Sequence, residues 1–146
     1  MNLLKNPITD EYFIFNLIPQ KRPFVMVDKL LYFSENKIVS GFLIKNDNLF
    51  AKNSVFNAPG LIENMAQTIA LHTGYQYYLK KEPAPTGYIG AIKKVEIKAL
   101  PNTNQELLTT VTILHDIMGV TLVRAEIECN SKIVAFSEMK TVLANK

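Results

Sequence analysis

The chain has 146 residues, 48% hydrophobic and 20% charged, a globular composition that excludes a disordered chain. Its 16 basic and 13 acidic residues leave a net charge of +3, scattered in pairs such as Lys21-Arg22 and Lys93-Lys94; no stripe is present to track a phosphate backbone, which argues against nucleic acid. One cysteine, Cys129, excludes an intrachain disulfide and fits a reducing compartment, and no apolar run approaches the roughly 18 residues of a membrane span.

The first 16 residues predict a short helix or strap, with Asp10 capping the apolar turn Tyr12-Phe13-Ile14-Phe15. Pro7 and nearby acids break this stretch before a signal-peptide core forms, so the chain reads as cytoplasmic. Two prolines, Pro19 and Pro23, fix the loop that follows. Phe24 to Phe33 and Ile38 to Ile44 read as strands of a hairpin, turning at Ser34-Glu35-Asn36-Lys37. Asp28, inside the first of them, is expected to bond the Lys21-Arg22 loop. Lys45 to Ala58 is polar and irregular, the natural place for a mobile loop.

Pro59 to Lys80 reads as one long apolar helix. Ile62, Met65, Ala66, Ile69, Ala70, Thr73 and Tyr77 share a face at three- and four-residue spacing, with Leu61 and Leu71 widening it. After a Pro-rich connection come four β-like segments: Tyr88–Leu100, Glu106–His115, Val120–Cys129 and Ile133–Leu143. Asp116–Gly119 and Asn130-Ser131 supply turns. The order predicts one α+β domain over residues 1–146, a helix against a curved antiparallel sheet. Unprotected edge strands would favour pairing with a second copy.

Glu63 stands out in the helix as a carboxylate among Leu61, Ile62, Met65 and Ala66. An unpaired charge is costly to bury there. It either serves the helix start, near the third helical position, or faces a cavity where an acid is useful.

Three stretches resemble the 3-hydroxyacyl-[acyl-carrier-protein] dehydratases of the hotdog fold. Leu17-Ile18-Pro19-Gln20-Lys21-Arg22-Pro23-Phe24-Val25-Met26-Val27-Asp28 is similar to that family's LPHRYPFLLVD motif. Glu63-Asn64-Met65-Ala66-Gln67 is similar to its EAMAQ helix motif, and Tyr88 to Ile97 to its FAGIDKARF strand. The resemblance implies a hotdog dimer acting on acyl chains held by phosphopantetheine on acyl-carrier protein or CoA. It implies Glu63 as catalytic acid, Gln67 as its support, and Phe56, Pro59, Gly60, Leu61, Tyr88 and Gly90 along the substrate. Backbone N–H groups of Gly60 and Leu61 would hold the developing enolate oxygen. No metal or redox cofactor is implied. Lys93 and Lys94 are candidates to meet an acidic carrier.

The chain departs from the family at its catalytic histidine. The segment Asn48 to Asn57 contains no His, and Asn53 falls nearest its place. Asn has no useful basic form. A second family histidine is replaced by Gln20. The remaining histidines, His72 and His115, read as core or surface residues. The resemblance therefore leaves open a hetero-dimer in which a His-bearing hotdog subunit completes the site, a homodimeric enzyme in which Glu63 works through water, a non-catalytic acyl-carrier binding protein, or a thioesterase. The shortened, His-free wording is also similar to dehydratase-like proteins of aryl-polyene and flexirubin pigment clusters.

Overall fold

The computed structural model describes residues 1–144. Its elements are α1 (Glu11–Leu17), β1 (Lys29–Ser34), β2 (Lys37–Leu43), β3 (Ala51–Lys52), β4 (Val55–Phe56), α2 (Ala58–Lys80), β5 (Gly87–Ile97), β6 (Glu106–Ile117), β7 (Val120–Cys129) and β8 (Lys132–Leu143). Six strands make one antiparallel sheet in the order β1-β2-β6-β7-β8-β5, and β3 pairs with β4 alone. The long helix α2 packs on β2, β6, β7 and β5, giving the expected hotdog arrangement. No helix among the described residues is long and apolar enough to cross a membrane.

Local chemistry explains the elements. Asp10 caps α1 by accepting from the Tyr12 and Phe13 N–H groups at 3.0 and 3.3 Å. The β7–β8 turn places Asn130 and Ser131 at φ 52° and 65°, the left-handed pair that matches strand twist in a two-residue hairpin. Met118 and Gly119 do the same between β6 and β7. The helix α1 packs against α2 at Gly74, where a Cβ would overlap the Leu17 carbonyl oxygen.

Four expectations are corrected. Phe24 to Asp28 is not strand; β1 begins at Lys29. Val25, Met26 and Val27 are buried as their apolar character demands, but side-chain amides of α2 take the Phe24 and Met26 backbone bonds that a neighbouring strand would have made. Next, the polar segment before α2 is not wholly irregular: it contains the β3–β4 hairpin, which turns at Asn53-Ser54.

The third correction concerns the rotation of α2. Its core side carries Leu61, Asn64, Met65, Thr68, Leu71 and His72, whereas Ile62, Ala66, Ala70, Thr73 and Tyr77 are half-exposed. Polar residues enter the core because each has a partner there. Asn64 Nδ2 donates to Met26 O at 2.7 Å, and Asn64 Oδ1 accepts from Thr109 Oγ1 at 2.6 Å. Thr68 Oγ1 donates to Asn64 O at 2.8 Å and meets Ser40 Oγ at 2.7 Å. Satisfied in this way, the groups avoid the penalty of unpaired burial.

The two edges of the sheet differ, against the expectation that both lie open. The N-terminal strap covers β1: Ile8 and Leu30 exchange backbone bonds at 2.8 and 2.9 Å, and Leu3 N–H donates to Phe33 O at 2.8 Å. β5 pairs only with β8 among the described residues, and it is exposed along nearly its whole length.

Candidate active site

Glu63 is the sixth residue of α2, in the second turn, and is half-buried. It is therefore not a helix-start residue; the α2 N-cap is Asn57, whose side chain makes no capping bond. Gln67, one turn later and buried, donates from Nε2 to Glu63 Oε1 at 2.9 Å. The same Nε2 donates to Phe24 O at 2.8 Å, and Gln67 Oε1 accepts from Met26 N–H at 2.6 Å. Both amide hydrogens and the carbonyl of Gln67 are thus committed, and the Glu63 carboxyl is held in one orientation by a group that cannot easily rotate.

The first turn of α2 offers less than expected. Gly60 and Leu61 N–H groups both point at Asn57 O, at 2.9 and 3.4 Å. They are occupied by the helix itself rather than free for a substrate oxygen. Phe56 and Leu61 are fully buried in the core, and a Cβ on Gly60 would overlap the Phe56 ring. This close approach accounts for a glycine there. Pro59 is exposed, at the second helical position, where its missing N–H costs nothing.

Asn53 is exposed and turns the β3–β4 hairpin at φ 52°, followed by Ser54 at 64°. Asn is among the residues that tolerate this conformation, so the turn alone explains its identity. Tyr88 and Gly90 lie on the open strand β5, Gly90 at a bulge between Ile89 and Ala91.

Neither histidine is placed to serve Glu63. His72 is buried, shares a 2.9 Å hydrogen bond with Ser34 O and stacks on the Phe33 ring at 5.0 Å. Burial pushes its pKa below 6.5 against the opposing pull of the Ser34 and Glu35 backbone. It lies nine residues beyond Glu63, about 13 Å along the helix axis. His115 stands exposed near the end of β6. Cys129 is buried, and burial pushes its thiol up, away from nucleophilic use.

Asp28, Lys29 and Lys21 have structural partners. Asp28 does not reach the Lys21-Arg22 loop; it accepts from Leu43 N–H at 3.0 Å and pairs with Lys29 at 2.8 Å, while Lys29 also meets Glu106 at 2.8 Å. Burial raises the Asp28 pKa despite these partners. Lys21 instead donates to Phe15 and Ile18 carbonyls at 2.7 and 2.8 Å, tying the Pro19 loop to α1. Lys94 pairs with Glu96 at 3.6 Å and lies over the Phe136 ring.

Sequence reasoning missed Asn64 and the docking of residues 24–26. The signal was available in the adjacent polar pair Glu63-Asn64 followed by Gln67 and Thr68, a concentration of polar groups too high for a helix buried by apolar packing alone.

Comparison with known proteins bears on the fold and the family. A search of curated proteins finds no match. Among solved structures, the chain is similar to the dehydratase heterocomplex ApeI:P from Xenorhabdus doucetiae, with 19% identity, 91% of each chain covered and a TM-score of 0.83. It is also similar to the HP0420-homologue from Helicobacter felis (15% identity, 93% and 90% covered, TM-score 0.69). A third is smu.793 from Streptococcus mutans UA159 bound to acetyl CoA (12% identity, 88% and 97% covered, TM-score 0.67). At these identities the likenesses establish the hotdog fold. The family model for ApeP-like proteins, described as ApeP dehydratase, matches residues 12–146, and the chain therefore belongs to the ApeP-like dehydratase family.

Proposed function

We propose that this chain is the acid-bearing half of a two-chain 3-hydroxyacyl-thioester dehydratase, completed by a hotdog subunit that carries the histidine. The observation that carries this reading is a carboxyl group fixed by Gln67 in a chain whose two histidines are both placed elsewhere. Elimination of water needs a base for the proton on C2 and an acid for the hydroxyl on C3. The partner's imidazole takes the C2 proton, the C2–C3 double bond forms, and Glu63 delivers a proton to the departing hydroxyl, releasing water. Proton return from imidazolium to the carboxylate resets the pair.

The open strand β5 supports association. Tyr88, Ile89, Ile92 and Val95 are 36–60% exposed, and Tyr88 and Ile89 lie beside the half-exposed Ala66 and Ala70 of α2. An apolar edge with unpaired backbone groups is where a second hotdog chain would add. The similar Xenorhabdus doucetiae structure is a dehydratase heterocomplex, which fits a partner that is a different chain. In this reading the acyl chain is carried on phosphopantetheine, from carrier protein or CoA. It leaves Glu63 along Ala66 and Ala70, which lie within about 60° of Glu63 around the helix.

The test is dehydration of a 3-hydroxydecanoyl carrier-protein thioester by the chain alone, by a His-bearing hotdog partner alone, and by the two together, with Glu63→Ala beside each. Turnover only in the mixture, falling about 10²–10⁴-fold with Glu63→Ala, is the expected result. Turnover by the isolated chain would instead establish a self-sufficient site. Release of free thiol from acyl-CoA would establish a thioesterase.

A further inference from the structure

Two lysines interrupt the open edge of the sheet near its middle. In β5, Lys93-Lys94 stand between Ile92 and Val95, and both are exposed. Lys94 has Glu96 at 3.6 Å and lies opposite Glu138 on β8. Lys93 makes no ion pair among the described residues. It also has no register partner on β8, because the ladder shifts between Ile92 and Lys94; a second shift leaves out Gly90. Lysines and bulges on an edge strand are means by which a sheet avoids pairing with an identical edge. The other edge has no use for them, since the strap already covers β1. β5 thus combines large apolar side chains, which favour association, with charge, which restricts it.

Symmetry decides whom the charge restricts. A second copy joined edge to edge by a two-fold axis runs antiparallel, and its pairing is symmetric about one pivot. If all eleven residues of β5 pair, the pivot is Ile92. The two copies' Lys93 residues are then two positions apart, about 7 Å along the strands and about 5 Å across them, so their Cα atoms are separated by roughly 8–9 Å. That is about one Debye length at physiological salt. Each Lys94 adds a further charge one position out. Glu96 gives no relief, since it lies at the far end, opposite Tyr88 of the second copy. Sliding the pivot toward Val95 brings the lysines closer still, and sliding it the other way gives up paired residues.

We propose that Lys93 and Lys94 select a different chain: they hold β5 apart from a second copy and meet carboxylates on the edge strand of the His-bearing hotdog partner. The proposal rests on the two-chain reading above and adds the chemistry of the partner's edge. A charge drawn into an interface without a counter-charge is costly, and like charges set against each other reject the wrong partner. An acidic carrier protein is the other candidate for these lysines. Their place between Ile92 and Val95, on the strand that assembly covers, favours the partner chain.

Sedimentation equilibrium of the full chain tests this, with a charge-reversed copy as the acidic probe. The samples are wild type, Lys93→Gln/Lys94→Gln, Lys93→Glu/Lys94→Glu, and an equimolar mixture of wild type with the last, each at low and high salt. At low salt the Gln variant should self-associate about tenfold more tightly than wild type, and the mixture about a hundredfold more tightly than wild type alone. Both gaps should shrink at high salt. Ile92→Glu in either member should abolish the mixed pair, which places it at β5. Both lysines are exposed, and equal denaturant midpoints exclude misfolding of the variants. Wild type that self-associates as tightly as the Gln variant, or a mixture no tighter than wild type alone, overturns the proposal. If the Gln variant gains no self-association while the Glu variant loses affinity for acyl-carrier protein, the lysines belong to the carrier and the proposal is likewise overturned. None of these samples contains substrate or the His-bearing chain. Absence of turnover in the two-chain mixture would therefore overturn the dehydratase reading and not this rule of pairing.

Discussion

The two edges of the sheet are finished to different standards. At β1 the chain closes on itself: the strap pairs Ile8 with Leu30, Asn64 and Gln67 dock Met26, and His72 bonds the Ser34 carbonyl. At β5 the strand keeps Tyr88, Ile89, Ile92 and Val95 partly in water with no strand beyond it among the described residues. The sequences of the two edges do not announce this. Both carry large apolar side chains, Leu30, Leu31, Tyr32 and Phe33 in β1 and Tyr88, Ile89, Ile92 and Val95 in β5, and what differs is whether another segment of the same chain lies in register to meet them. Backbone and side-chain pairing is concentrated at β1, and in the reading proposed above association belongs to β5.

Substitutions on the two sides should therefore separate folding from assembly. The largest folding effect is expected from Asn64→Ala, which leaves Met26 O and Thr109 Oγ1 without their partner in a fully buried site. Denaturant unfolding should show a loss of about 2–4 kcal/mol, with the residual dimer geometry unchanged where the protein still folds. Ile92→Glu should act in the opposite way. It places a charge on the open inner face of β5 and should weaken assembly about a hundredfold or more in sedimentation equilibrium, while leaving monomer stability within about 0.5 kcal/mol. Equal loss of folding stability in both variants would erase the distinction between the edges. A smaller effect belongs to Ile8→Pro, which removes the N–H donor to Leu30 O; about 1 kcal/mol of stability and no change in association are expected.

The mildest effect is one of pH. His72 is kept neutral by burial, with its pKa below the ordinary 6.5. Below that value the unfolded chain binds a proton that the folded chain refuses, so this contribution is complete above about pH 6.5 and declines on acidification. Asp28 works in the other direction: burial raises its pKa, so its neutralisation on acidification relieves the fold. The variant His72→Phe isolates the first effect. Its denaturant midpoint should fall less than that of wild type between about pH 7.5 and pH 5, and equal falls would remove His72 from the account.

Much of the fold was legible because it depends on pattern. The hairpins follow from alternation and from Asn130-Ser131 and Gly119 at the turns, and α2 follows from a long run of helix-spaced apolar residues bounded by Pro59 and by the Pro-rich connection. Its rotation was not legible. Hydropathy ranks Ala66, Ala70 and Tyr77 above Asn64, Thr68 and His72 as core residues, yet the latter are buried because partners on distant segments satisfy them. The same cause hid the docking of Phe24 to Val27, whose composition is that of a strand. For the candidate site, the Glu63–Gln67 pairing is visible as i, i+4 spacing. The use of the Gly60 and Leu61 N–H groups by Asn57 O is not, since it depends on how the chain enters the helix.

Gly74 sets a spacing on which several of these features depend. With no side chain it lets the Leu17 carbonyl rest against the helix, and the loop that continues from Leu17 carries both Gln20 and the docked residues 24–26. The separation between that loop and α2 is thus set both by the absence of one methyl group and by the bonds from Asn64 and Gln67 to Phe24 and Met26. Gly74 acts as a gauge for the distance between that loop and the helix. Enlarging it would lift the loop from the helix and pull on the Gln67 amide that holds the Glu63 carboxyl. Any larger residue at this one position would have to displace the Leu17 backbone itself.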